Sequence, residues 1–320
     1  MQTDLCSSIT RTARGLTATA FLCALVACSS DDDSDSDGVT ASTSPDGLIS
    51  TLSASGVTET IASIESTLNG IEPITVLGIV DHQANAESVG LVQSPNQVLF
   101  FGNPALGTPL MQQNQQAGLD LPQRMHAFEN AQGEVELAYN SASFLEQRHS
   151  VPADTPQLTT ISNALRGFAE GATGSTVDDS ATPAVVADEG IITVTSTRSM
   201  DETYDALIAA ITGTGTLGIF REIDHAENAA SVGLDLRPTR VVLFGRPQVG
   251  TPLMVSQGSS GLDLPLKAVV YEDADGVVSI AYNDPAWIAE RHNIIDQDEL
   301  IATITMAVGG LTATAAGTSQ

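Results

Sequence analysis

Four histidines stand in two matched pairs, His82 with His225 and His149 with His292. Imidazole titrates nearest neutral pH, so a repeated histidine is a first candidate for proton transfer or metal ligation. The fifth, His126, falls opposite Val269 in the second copy and is set aside as incidental. Around the matched pairs the same residue types recur: Asp81 and Asp224 directly before a histidine, Glu129 and Glu272, Tyr139 and Tyr282, Asn140 and Asn283, Arg148 and Arg291. An Asp–His–Glu set can do acid–base work or hold a divalent metal. The same polar groups can equally cap turns and helices, and both readings stay open. The candidate ligand-binding set is Asp81, His82, Glu129, Tyr139 and His149, with Asp224, His225, Glu272, Tyr282 and His292. No residue is assigned a catalytic role, and no metal or cofactor is named.

A second repeated motif is the turn "FGNPALGTPLM" (101–111), which returns as "FGRPQVGTPLM" (244–254). A helix N-terminus behind a Gly-rich turn can bind an anion. Yet no lysine belongs to the motif, and Arg246 is Asn103 in the first copy. Turn-and-cap geometry is the favoured reading: Thr108 as N-cap, Pro109 as first helical residue and Gly118 as C-cap. "GTGTLG" (213–218) fits a dinucleotide pattern by letter only, since it ends a helix and precedes a strand. No G-x-S-x-G, H-E-x-x-H or Walker sequence occurs.

These residues must be positioned by elements that both copies spell out. Val57, Ile61, Ile64 and Leu68 lie on one helical face, as do Met200, Tyr204, Leu207 and Ile211. Ser199 and Glu202 form a capping-box pattern. Strands are expected at "LISTLS", 74–80, 98–101, 125–129 and 135–139, with a hairpin at Gly133, and at the matching positions of the second copy. Asp81 and His82 fall at a strand end, where open α/β sheets place their sites. The order β-α-β-α-β-α-β-β-α predicts an α/β (α+β) unit with a mixed sheet.

The register between the copies is gapless from Gly47 on Gly190 to His149 on His292, so the repeated unit is a whole domain. "DHQANAESVGL" and "DHAENAASVGL", the two GTPLM turns, "GLDLP" and "AYN…RH" occur in the same order in both. With these motifs the chain resembles domain-of-unknown-function family 302. The resemblance implies a compact domain whose single-domain members pair as homodimers, so two tandem copies are expected to pack as an intramolecular pseudo-dimer. It implies no agreed activity.

Composition narrows the partners. The formal net charge is −27, from 12 Lys+Arg against 39 Asp+Glu. Such a field repels a phosphate backbone and excludes nucleic-acid binding as a reading. Residues 1–27 read as a signal peptide, with Arg11 and Arg14 ahead of the apolar 16–27 and the "LVAC" that ends at Cys28. This resembles a bacterial lipobox. Cys6 and Cys23 would leave with the peptide, and Cys28 would carry the lipid and hold the chain to a bilayer. Ser29 at the next position resembles the outer-membrane sorting pattern, facing the periplasm. The acidic stretch 28–46 reads as a disordered tether. The first repeat then spans 47–170, a linker 171–189, the second repeat 190–312 and a tail 313–320. The expected function is a non-catalytic module that binds or senses a small ligand or divalent metal. A His/Asp- or metal-dependent enzyme acting on a small envelope substrate, and a structural envelope protein, are the alternatives.

Overall fold

Two strand runs, Val98–Phe101 and Val241–Phe244, are apolar at every position. Side chains alternate across a strand, so such a run must be buried on both faces. The computed structural model, which describes residues 45–179 and 184–318, has that arrangement. Leu99 and Phe101 enter the core under the helices of the first repeat, and Val242 and Phe244 that of the second. Val98, Phe100, Val241 and Leu243 instead meet each other in a third core between the two sheets. The layers are therefore helices, sheet, sheet, helices.

The first repeat runs β1 (Leu48–Ser53), α1 (Val57–Asn69), β2 (Thr75–Asp81), α2 (His82–Ser88), β3 (Asn96–Gly102), α3 (Pro104–Gln113), β4 (Gln123–Glu129), β5 (Val135–Asn140), α4 (Ala142–Arg148) and α5 (Pro156–Thr173). The second runs β6 (Ile191–Thr195), α6 (Met200–Gly213), β7 (Gly218–Asp224), α7 (His225–Ser231), β8 (Thr239–Gly245), α8 (Pro247–Ser256), β9 (Leu266–Glu272), β10 (Val278–Asn283), α9 (Pro285–Arg291) and α10 (Asp298–Ala316). The strand orders are β1-β5-β4-β3-β2 and β6-β10-β9-β8-β7. The chain thus forms two tandem α+β units. The first helix of each, α1 or α6, buries the apolar face read from the sequence, and Ser199 and Glu202 close a full capping box.

Three details depart from the sequence reading. Both sheets are antiparallel at every pairing, where a mixed sheet was expected. The seven-residue α2 and α7 sit at a sheet end and turn the chain back; a parallel return needs a crossover over the sheet. Second, the GTPLM helix begins a turn earlier than Thr108. Asn103 caps it through Ala105 N–H, Pro104 takes the first position, and Pro109 lies inside. Third, a short helix, α4 or α9, precedes the last long helix and carries Arg148 or Arg291. Helix α5 continues to Thr173, where left-handed Gly174 caps it, and α10 continues to Ala316. Residues 1–27, read from the sequence as a signal peptide, and 28–44 of the stretch read as a tether lie outside the described residues.

Candidate functional site

The two "GLDLP" segments meet at the pseudo-two-fold axis between the sheets, and their aspartates gather a buried ionic cluster. Asp120 accepts from Arg148 Nη1 at 2.7 Å, His149 Nε2 at 2.9 Å and Arg124 Nη2 at 3.1 Å. Asp263 accepts from Arg291 Nη1 at 2.7 Å, His292 Nε2 at 2.9 Å and the same Arg124 Nη2 at 2.7 Å. Arg148 also reaches Asn283, and Arg291 reaches Asn140, so each repeat holds the other's strand end. The guanidiniums stack reciprocally: Arg148 lies 4.1 Å from the Trp287 ring centre, and Arg291 lies 4.5 Å from that of Phe144. Neighbouring guanidiniums hold both carboxyls well below the usual carboxylate range, against a large opposing cost of burial. Burial pushes His149 and His292 down, so each donates as a neutral ring. Neither aspartate has exposed side-chain surface. The cluster pins the repeats together and offers no access to a substrate.

At the centre the pseudo-symmetry breaks. Arg124 bridges both aspartates, and its counterpart is Lys267. Lys267 is buried and its Nζ has no hydrogen-bond partner among the described residues. Burial, reinforced by Arg124, pushes this amine down to about 7.

His82 and His225 lie elsewhere. Each opens its short helix behind an aspartate that serves as a cap. Asp81 accepts from Ala84 N–H and from Gln97, and Asp224 from Glu227 N–H and Arg240. Each histidine packs on the glycine of the other repeat's GLDLP segment. His82 Nε2 donates to Gly261 O at 3.3 Å, and a Cβ on Gly118 would stand 3.5 Å from the His225 ring. Burial lowers both imidazoles to about 4. His126 is not incidental: it is buried, bonds Asn96 Oδ1 at 2.8 Å and abuts Gly261, whose missing side chain makes room for it. A Cβ there would come within 2.6 Å of both Asn96 and His126.

These histidines also wall two clefts. In each, the GTPLM helix, the GLDLP proline and the last long helix of one repeat face the strand end and histidine of the other. The first cleft is bounded by Thr108, Pro122, Phe168 and, from the second repeat, His225 and Asn228. The second is bounded by Thr251, Pro265, Leu311 and, from the first repeat, His82 and Asn85. The repeated turn thus builds one wall of a cleft whose other wall belongs to its sister copy. The first cavity holds about 140 Å³ and the second about 860 Å³. Phe168, packed edge-on against Phe101, occupies space that Leu311 leaves open. Thr108 and Thr251 are buried, and neither hydroxyl has a partner among the described residues. Helix α10 is long and apolar enough to cross a membrane by composition; here it packs on α6 and lines the larger cleft.

The sequence-derived candidates therefore separate into four places. His82 and His225 reach the clefts; His149 and His292 sit in the axial cluster. Tyr139 and Tyr282 point into the helix-covered cores, where burial pushes both phenols up. Glu129 and Glu272 end their strands half-buried, their backbone N–H groups bonded to Pro95 and Pro238. Among the described residues no group of three His, Cys, Asp or Glu side chains is placed to hold a metal ion. Asp120, Asp263, Arg124, Lys267 and the two buried threonines were absent from the candidate set. Their signal was the repetition of "GLDLP" and "GTPLM" itself.

An antiparallel α+β pair with an ion-pinned axis and two clefts shared between repeats defines a tandem-repeat pseudo-dimer. The chain belongs to the family described as Domain of unknown function DUF302, whose model matches residues 49–168 and 192–310. It is 39% identical over 135 residues to proteins named "Fluoride-specific ion channel FluC 1" from Brucella suis biovar 1 (strain 1330) and Brucella abortus biovar 1 (strain 9-941). The match covers 42% of this chain and 53% and 50% of those proteins, so the chain spans about half their length. It is also similar to the crystal structure of an uncharacterized conserved DUF302 protein from Bacillus stearothermophilus. That likeness has 23% identity and a TM-score of 0.37, over 40% of this chain and 98% of the other.

Proposed function

We propose that this chain is a non-catalytic small-ligand-binding module whose site is the larger cleft. The observation that carries the reading is a largely apolar cavity of about 860 Å³, inside the ~300–1,000 Å³ range of small-molecule sites, with a few fixed polar groups in its wall. Both repeats contribute to it, which gives the repeated motifs a common purpose. The enzyme reading finds less support. The Asp–His couples are sealed and already paired with arginines, and His82 is held neutral against a backbone carbonyl. The channel name of the curated relatives attaches to proteins of which about half lies outside the match, and it is not carried to this chain.

The basic, apolar and "LVAC" sequence at the N-terminus supports a lipid-anchored envelope protein, acylated on Cys28, on the outer membrane and facing the periplasm. Stretch 28–46 would then be the tether that holds the binding module off the bilayer.

The test of the binding function is thermal melting of the parent and a Leu311→Trp variant against a chemically diverse set of small molecules. Leu311 is only partly buried, so an indole there can project into the cavity and obstruct it, as Phe168 does in the first cleft, without entering the sheet core. A ligand of the native state raises the melting temperature by mass action. The reading expects at least one compound class that stabilises the parent and leaves the variant unmoved. Compounds that shift both equally, or none that shift either, would contradict it.

A further inference from the structure

We infer that the larger cleft takes an amphipathic anion, with a single carboxylate-type head at Arg246 and an apolar body in the cavity. The inference rests on the reading of this cleft as the ligand site. Its basis is charge. The chain holds 39 Asp+Glu and 12 Lys+Arg, yet no described residue lining this cleft is acidic, and Arg246 is its one charged group. Every other arginine among the described residues has an acceptor. Arg124, Arg148, Arg166, Arg240 and Arg291 pair with carboxylates; Arg198 and Arg221 bond carbonyls; Arg237 bonds Gln115. Arg246 has none among the described residues, although it is half-buried in a strongly acidic protein.

A guanidinium prefers a planar two-oxygen partner, which suits a carboxylate head. The net charge of −27 opposes any anion at long range, but at physiological salt that field is screened beyond about 8 Å. What an arriving head meets inside that distance is Arg246. The first cleft supplies the contrast. Asn103 stands where Arg246 does, Phe168 fills the space, and no charged residue among those described lines it. One site per chain, headed by the second repeat's Arg246, follows.

The experiment is calorimetric titration of the full chain with decanoate, 1-decanol and decylamine, below the concentration at which each aggregates. Decanoate should bind about tenfold tighter than decanol, the scale of one charge-assisted hydrogen bond. Arg246→Asn places the first repeat's own residue there, so the fold tolerates it. It should bring decanoate down to decanol and leave decanol unchanged, with Arg246→Lys intermediate. Equal affinity of decanoate and decanol, both lost in Leu311→Trp, would overturn the anionic head and leave the cleft as the site. A preference for decylamine, or decanoate binding that survives Arg246→Asn, would also overturn the inference. Binding of no probe would overturn the inference and count against the cleft as well.

Discussion

Lys267 gives the sharpest test of the axial cluster. Its amine is buried beside Arg124, Arg148, Asp120 and Asp263, and its pKa falls from 10.5 to about 7 in the folded chain. The unfolded chain therefore binds more protons than the folded one between pH 7 and 10.5. Stability must rise with pH across that window and carry the full penalty below it. The same linkage gives a gain of about 2 kcal/mol between pH 7 and 9. Replacing the amine by an apolar chain of similar length, Lys267→Met, removes the penalty. At pH 7 that is worth on the order of 3–5 kcal/mol, or roughly 5–15 °C in Tm. The histidines add only a small part of this rise, since burial moves His82 and His225 to about 4 and lowers the others too; the tail of their unfolded-state titration above pH 7 amounts to under about 1 kcal/mol in all. Denaturant unfolding at pH 7, 8 and 9 should show a steeply rising parent and a much shallower, more stable Lys267→Met. A parent that is flat from pH 7 to 9, or a variant that keeps the slope, would refute the argument.

Asp263→Asn leaves Arg291 and His292 facing a neutral amide and should cost about 3–5 kcal/mol in equilibrium unfolding; a loss below about 1 kcal/mol would mean the cluster is not the pin. Gly261→Ala should destabilise far more than Gly118→Ala. The new Cβ meets His126 and Asn96 at 2.6 Å in one and Val269 at 3.2 Å in the other, and comparative melting ranks the pair. Cys28→Ala should move the chain from the membrane to the soluble fraction, or block its processing, on cell fractionation.

Much of the architecture was legible because local signals agreed with it. The apolar faces of α1 and α6, the Ser199–Glu202 box and the doubly apolar β3 and β8 all depend on neighbours in sequence. The antiparallel sheet was not legible, because a seven-residue helix after β2 reads the same whether the chain crosses the sheet or turns back. Pro109 looked like a helix start, since its ring suits that position. The stronger start was Asn103–Pro104, one turn earlier. For the site, repetition marked His82 and His149 alike, but not their separate destinations. His82 meets Gly261, 179 positions away, and His149 meets Asp120 within its own repeat. Tyr139 and Tyr282 repeat because each core needs a large side chain under its helices. The cleft itself was invisible in one copy read alone, since each of its walls belongs to a different repeat.

The central claim is that one cleft per chain, the one closed by α10, binds a small molecule. Native mass spectrometry of the chain purified from its source, with and without Leu311→Trp, tests it most directly. The account predicts one bound small molecule per parent chain and none on the variant. A parent that carries no ligand and takes up none from the small-molecule set, or one whose ligand persists in Leu311→Trp, would contradict it.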